Sequence, residues 1–265
     1  MFCRPRTLAL FIGCLPVLLG FTSNDAAAGG PVINFTRTVT GAASADATSG
    51  VGGAHAGYNW QQGSVVFGFE TDLQRVNLVS TVNPALTYIP PPPNPTDFAR
   101  AQATIDWYGT FRGRVGTTFG PLMVYLTGGV AYGNVDLSTA FSAFGLTTQA
   151  QNSQTRVGGV GGFGLEYMVQ PNLFVSFNYQ YVDLGKLNAS SSLTAPLGPF
   201  AFATLNQSAS VHAQFQTATV GLTWRFAPAA TGSPWAGGYA GVHGGGAWGN
   251  NTSGAYNAVG TFIPN

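Results

Sequence analysis

The segment Gly63-Ser-Val-Val-Phe-Gly-Phe-Glu-Thr-Asp-Leu-Gln74 carries its acids one position out of step with its aromatics. Successive side chains of a strand point to opposite faces. Val65, Phe67, Phe69 and Leu73 therefore share one side, while Val66, Gly68, Glu70, Asp72 and Gln74 share the other. The split recurs between Ile105 and Thr117, where Ile105, Trp107, Phe111 and Val115 oppose Asp106, Tyr108, Thr110, Arg112 and Arg114. A soluble strand hides its apolar face on a core; a transmembrane barrel shows that face to lipid and turns the polar one inward.

Charged residues make up 7% of the chain and aromatics 13%, with 37 glycines among 265 residues, against about a quarter charged in an ordinary soluble domain. Lipid as the solvent accounts for that deficit. The longest nearly uninterrupted apolar run, Leu8 to Phe21, falls short of the roughly 20 residues a spanning helix needs. With Arg4 and Arg6 ahead of it and Ala26, Ala27 and Ala28 behind, it has the layout of a secretory signal peptide cleaved before Gly29. Phe11-Ile-Gly-Cys14 resembles a lipoprotein processing site, but apolar residues continue past Cys14, which speaks against lipidation. Cys3 and Cys14 both fall inside this leader, so the mature chain has no thiol for a disulfide or a zinc-thiolate site. A formal charge of +1 without any Lys/Arg cluster offers no electrostatic footprint for nucleic acid.

The expected organisation is a signal peptide at 1–28, a flexible N-terminal segment at 29–50, a β-barrel at 51–249 (seven strands within 51–226 plus a closing strand at 235–249) and a tail at 250–265. Tight turns fall at Gln61 to Ser64, Phe119 to Pro121 and Gln170 to Asn172. Long connections fall at Ser80 to Ala101, which holds Pro90 to Pro93 and Pro95, at Ser138 to Gln151, and at Leu184 to Asn206. Short turns alternating with long loops match outer-membrane barrels, whose periplasmic turns are short and outer loops long. Seven strands would leave an open edge, and in lipid an open edge leaves backbone groups without partners. The stretch from Trp235 to Gly249 is long enough to span and is flanked by tryptophans. It raises the count to eight: an all-β, antiparallel, up-and-down transmembrane barrel.

Trp107-Tyr-Gly-Thr-Phe-Arg-Gly-Arg-Val-Gly116 is followed by Val124-Tyr-Leu-Thr-Gly-Gly-Val-Ala-Tyr-Gly133. Together with Gly57-Tyr-Asn-Trp60, Phe67-Gly-Phe-Glu-Thr-Asp72 and Val220-Gly-Leu-Thr-Trp-Arg-Phe226, this resembles the porin-like outer-membrane β-barrel family common in alphaproteobacteria, of the small surface-antigen type. The resemblance covers about Val51 to Phe226. It implies a place in the cell outer membrane of a Gram-negative bacterium, contact with outer-membrane lipid, and insertion by the barrel assembly machinery. The family's terminal aromatic, its assembly signal, would be Phe226, here internal. In the family a Trp-x-Gly-x-Tyr-x-Gly strand comes first, whereas Trp235-Ala-Gly-Gly-Tyr-Ala-Gly241 comes last. That displacement reads as a circular permutation or as the start of a truncated second copy. Closure favours permutation, since a strand at Trp235 could pair with both the Val51 strand and the one ending at Phe226. In the alternative, Val32 to Val39 makes a weak first strand and the Trp235 segment hangs free.

Seven ionisable residues share the expected lumen: Glu70, Asp72, Asp106, Arg112, Arg114, Arg156 and Glu166. A polar pore or proton path would use such groups. So would a set of Arg–carboxylate pairs filling a small barrel, and the size argument favours it, because eight strands leave room for side chains rather than an open channel. Gly159-Val-Gly-Gly-Phe-Gly164 fits the dinucleotide pattern, but Leu165 to Val169 continue strand alternation and open no helix for a pyrophosphate. In the closed ring His55 and His243 face inward on adjacent strands; no carboxylate or thiol is spaced to join them in a metal site, which favours a packed pair. No Ser-His-Asp or paired-carboxylate arrangement has local support, so no catalytic residue, metal or cofactor is expected.

Tyr58, Trp60, Trp107, Tyr167, Tyr179, Tyr181, Trp224 and Phe226, with Trp235 and Trp248, fall near strand ends as membrane-interface aromatics do. The expected function is non-enzymatic: an outer-membrane protein with a structural or surface-interaction role, a side-chain-filled lumen, and long loops turned to partners in the medium that the sequence does not identify. The competing readings are a narrow porin for small solutes and a secreted soluble β-sandwich that binds a ligand.

Overall fold

The computed structural model describes residues 35–43, 45–89, 97–143, 146–198, 201–226, 233–249 and 254–264, so the expected signal peptide lies outside the described residues. The strands are β1 (Phe35–Ala43), β2 (Ala47–Gln62), β3 (Val65–Val82), β4 (Thr87–Ile89), β5 (Phe98–Phe119), β6 (Leu122–Ala143), β7 (Leu146–Gln170), β8 (Leu173–Gly198), β9 (Ala201–Arg225), β10 (Gly237–Gly249) and β11 (Gly254–Pro264). They form one antiparallel sheet, and β10 pairs with both β9 and β2. That double pairing closes the ring, so the Trp235 segment does not hang free.

Some of these strands are the upper parts of others. Val51 faces Val76 across β2 and β3, and thirteen residues further from the tight turns Thr38 of β1 faces Ile89 of β4. β1 therefore shares one register with β2, and β4 with β3. β11 extends β10 alongside β9 with a slip of one residue, since Trp248 faces Gln216 and Ala255 faces Ser210. The membrane half is thus a closed ring of eight antiparallel strands, while in the distal half the ladders part into β3-β5-β6-β7 and β8-β9-β11-β1-β4, since β7 and β8 stop pairing at Gly159 and Asp183.

The ring is much taller than a bilayer. β8 has 26 residues; at about 3.3 Å per residue and a tilt of about 40° such a strand rises about 65 Å, against an apolar band of about 25 Å. The excess lies at the end away from the tight turns, called distal below. Strand pairing runs on into the expected long loops at Ser138 to Gln151 and Leu184 to Asn206, while β3, β4 and β5 take up much of Ser80 to Ala101. Likewise the expected flexible segment 29–50 holds β1 and the start of β2, and the expected tail 250–265 holds β11. These corrections share a physical reason. Beyond the membrane the period-two pattern persists with its faces exchanged, as at Leu205, Gln207 and Ala209 inside against Asn206 and Ser208 outside. Water on the outside demands polar side chains there, so the stretch reads as loop to anyone looking for lipid-facing rows.

The interior follows the same division. In the membrane half Val65, Phe67, Phe69, Leu73, Val220, Leu222, Trp224 and Phe226 are exposed on the outside. In the distal half one apolar cluster, including Val39, Leu78, Ile105, Val135, Leu137, Phe141, Leu187, Val211 and Phe215, fills the inside. At membrane level the closed sheet with its apolar rows pointing outward leaves no second sheet for a β-sandwich core.

Candidate functional site

The lumen of the membrane half is built by two neighbouring strands with opposite charges at alternate positions. β3 presents Glu70 and Asp72, β5 presents Arg112 and Arg114, and the register sets Glu70 opposite Arg112. Cross-strand placement makes ion pairs the low-energy arrangement. Arg112 Nη2 donates to Glu70 Oε1 at 2.5 Å and to Asp72 Oδ2 at 2.8 Å. Arg114 Nη1 donates to Glu166 Oε1 of β7 at 2.7 Å and to Glu70 Oε2 at 3.3 Å, while its Nε donates to Asn59 Oδ1 at 2.8 Å. The Tyr239 hydroxyl donates to Glu70 Oε2 at 3.0 Å. The Arg114 guanidinium also lies over two rings, 4.5 Å from the centroid of Tyr239 and 5.1 Å from that of Tyr125. All five ion-paired side chains are buried. A charge taken out of water persists only when paired and hydrogen-bonded, and this network supplies both conditions.

Two of the seven residues expected in the lumen lie elsewhere. Between Ile105 and Tyr108, β5 carries one residue more than β6. This bulge shifts the alternation, as bulges do: Ile105 turns inward and is buried, while Asp106 turns outward and is exposed. Arg156 is half-buried towards the distal side and is not part of the ion-pair network. Conversely Asn59, Tyr125, Asn178 and Tyr239 belong to the lumen and were not singled out from sequence. Their signal was present in the same alternation: Asn59 lies four residues beyond His55, and Tyr239 four before His243. Tyr239 fits because its neighbour across the pair, Gly57, has no side chain; a Cβ there would come 2.3 Å from the Tyr239 hydroxyl.

The two inward histidines meet across the seam between β2 and β10. His55 Nδ1 lies 3.1 Å from His243 Nδ1, and His55 Nε2 lies 2.9 Å from Thr223 Oγ1. A contact between two ring nitrogens needs one donor and one acceptor, so the imidazoles share a single proton along it. Among the described residues no three His, Cys, Asp or Glu side chains converge as a metal site would require.

Below the network, at the tight-turn end, the lumen is stoppered. Trp235 was expected at the membrane interface; it is instead 2% exposed and packs inside against Phe174, at 5.0 Å between ring centroids. Its place is fixed just ahead of β10, where its N–H donates to Gln61 Oε1 at 3.0 Å and its carbonyl accepts from Asn59 Nδ2 at 3.3 Å. Arg225 holds the same stretch, donating to the carbonyls of Pro234 and Pro171. Between Trp235 and Arg114 remains a cavity of about 10 Å³, roughly the space of one water. Above the network Tyr108 meets Phe215 edge-on at 4.9 Å, and the distal apolar cluster begins.

On the outside, Trp60, Tyr58, Tyr167, Trp224 and Phe226 are exposed near the tight turns. Tyr181 and Trp248 are exposed at the other edge of the apolar band, with Tyr179 and Trp107 half-buried beside them. There the Tyr179 hydroxyl and the Trp248 Nε1 both donate to Gln216 Oε1, at 2.8 and 3.0 Å. The Gly159 to Gly164 pattern lies within β7, a strand.

The sequence pattern describing the outer membrane protein beta-barrel domain matches residues 8–226. The chain belongs to that family. It is a β-barrel protein of the cell outer membrane. Among its relatives, the 31 kDa outer-membrane immunogenic protein of Brucella melitensis is 38% identical over 154 residues, 55% of this chain and 59% of the relative. The 22 kDa outer membrane protein of Rhizobium leguminosarum is 31% identical over 137 residues, 51% of this chain and 54% of the relative. The match thus spans somewhat over half the length of these relatives. Solved outer-membrane structures also align: the translocator domain of the Neisseria meningitidis autotransporter NalP (15% identity, 87% of this chain and 88% of that one, TM-score 0.24) and the Ralstonia pickettii toluene transporter TbuX (10%, 86% and 89%, 0.30). At that degree of superposition neither bears on function. The family match stops at Phe226, so Trp235 and the strand β10, which brings Tyr239 and His243 into the lumen, lie beyond it.

Proposed function

We propose that this barrel acts as a closed, non-catalytic surface protein of the outer membrane, with its tall distal half turned to the medium. The observation that carries this reading is the packing of the lumen at successive heights: the Trp235 stopper, the Arg112–Arg114 ion network, and the distal apolar cluster. A barrel so filled has nothing to conduct through. The orientation rests on the tight turns, which belong on the periplasmic side in this class. With that end inward, outer-membrane lipid contacts the Val, Leu and aromatic rows, and the polar distal face meets whatever the cell surface meets. Relatives described as outer-membrane immunogenic proteins fit a surface-exposed role. The pairing of β10 with both neighbours supports reading the chain as a rotated form of the family's strand order. Insertion by the barrel assembly machinery belongs to the same reading.

Planar-bilayer recording tests it. Purified protein inserted at high salt should give no sustained current steps. Long-lived, uniform steps would replace this reading with that of a narrow porin.

A further inference from the structure

Between the ion network and the Tyr108–Phe215 contact lies a layer of polar atoms that no protein group satisfies. Asp72 Oδ1, both amide atoms of Gln74, Thr110 Oγ1, Arg112 Nε and Nη1, Ser176 Oγ and Gln180 Oε1 have no hydrogen-bond partner. The residues that carry them are each 3% exposed or less. His243 adds its Nε2. These groups are contiguous. Asp72 faces Thr110 and His55 across its two strand neighbours, and Gln74 faces Tyr108. The Tyr108 hydroxyl reaches Thr217 Oγ1 at 3.5 Å, and Thr217 is the strand partner of Gln180. Ser176 and His243 both border Gly221.

The mixture of chemistries limits what can sit among them. Arg112 offers only donors, Asp72 and Gln180 offer acceptors, and Gln74 offers both. A cation would meet the Arg112 guanidinium, an anion would meet the Asp72 carboxylate, and an apolar molecule would leave every group unpaired at a heavy desolvation cost. Water donates and accepts at once. We propose that this layer is a sealed chamber in the membrane half of the barrel that binds a cluster of about three ordered waters, each making about three hydrogen bonds as buried waters do. Its floor is the ion network above the Trp235 stopper and its roof is the Tyr108–Phe215 contact with the apolar cluster behind it. The proposal rests on the closed-lumen reading above.

Radiolytic footprinting with a pulse of heavy-oxygen water tests it on the whole barrel in detergent micelles. Hydroxyl radicals formed from bound water oxidise the side chains beside it, and the oxygen added reports which water was split. Tyr108 should be oxidised despite burial, and the half-buried His243 with it, and both should carry light oxygen after a brief mix, while exposed Tyr181 carries heavy oxygen. Gln74→Leu, which removes two of the water's partners, should lower Tyr108 oxidation severalfold; unchanged oxidation would overturn the assignment of the water to this layer. The wild-type pattern decides on its own if that variant does not fold. No oxidation at Tyr108 and His243 means a dry layer and overturns the chamber while leaving the closed barrel intact. Immediate heavy-oxygen uptake there means a path to bulk water, which overturns the seal; bilayer current then shows whether the closed-lumen reading falls with it.

Discussion

β9 passes through two environments in one continuous strand, and its two halves are inverted copies of each other. From Leu205 to Phe215 its inward residues are chiefly apolar and its outward ones are Asn206, Ser208, Ser210, His212 and Gln214. From Gln216 to Phe226 its outward residues turn to Ala218, Val220, Leu222, Trp224 and Phe226, and its inward ones to Thr217, Thr219, Thr223 and Arg225. The backbone does not change; the solvent does. In the distal half, burying a Leu or Phe side chain away from water contributes about 1.5–3 kcal/mol. In the membrane half that gain is absent on the outer face, because lipid is as apolar as a core. There the closed backbone ladder and the paired lumen charges carry the specificity.

The comparison is broken or sharpened by exchanging demands between the halves. The largest effects belong to the interior. Arg112→Ala leaves Glu70 and Asp72 short of a buried partner and should cost about 3–5 kcal/mol, read as lost heat resistance of the folded band on a gel. Phe215→Ala should cost a similar amount, about 3–5 kcal/mol, through a cavity in the distal cluster. The two then part on rescue: Phe215→Leu should recover most of the loss, since volume is what matters there, whereas Arg112→Lys should not, because the lysine stem is a bond too short for the Nη2 position that meets both carboxylates and its more strongly hydrated ammonium costs more to bury. Urea unfolding in micelles measures both.

The outer face comes next. Leu222→Arg, in the apolar band, should destabilise by about 2–4 kcal/mol, while Ser208→Arg on the same strand should stay within about 0.5 kcal/mol. Equal effects would erase the distinction between the halves. The smallest effect belongs to Asp183, just beyond the band, where burial alone would raise its pKa. The Gln214 amide at 2.8 Å, the Gly185 N–H at 2.8 Å and His212 at 3.1 Å outweigh that and hold the carboxyl below its usual value. A lowered carboxyl stabilises the fold above its unfolded pKa of about 4 and loses that contribution as pH falls through the folded value. Asp183→Asn should therefore cost under about 1 kcal/mol at neutral pH and flatten the acid limb of stability below about pH 4.

The membrane half was largely legible in the sequence, because lipid on one side and charge on the other make period two visible in Phe67, Phe69, Glu70 and Asp72. Closure through the Trp235 segment was legible from the need for backbone partners. The distal half was not, since Leu187, Asn188, Ala189 and Ser190 alternate just as faithfully but with faces exchanged, and a reader seeking outward apolar rows finds only a polar loop. Asp106 was misplaced because a bulge is invisible to strict alternation: nothing in Ile105-Asp-Trp-Tyr108 announces the extra residue. Trp235 was misplaced because tryptophans favour interfaces on average, while this one is held inside the barrel end by Asn59, Gln61 and the Arg225–Pro234 contact.

Depth-dependent quenching along β9 tests the inversion most directly. Single cysteines placed at Asn206, Ser208, Val220, Leu222 and Trp224, in a chain with Cys3 and Cys14 replaced, would each carry a fluorophore in vesicles of brominated-chain lipid. The account predicts strong quenching at Val220, Leu222 and Trp224 and none at Asn206 and Ser208. Quenching at Ser208, or its absence at Leu222, would contradict it.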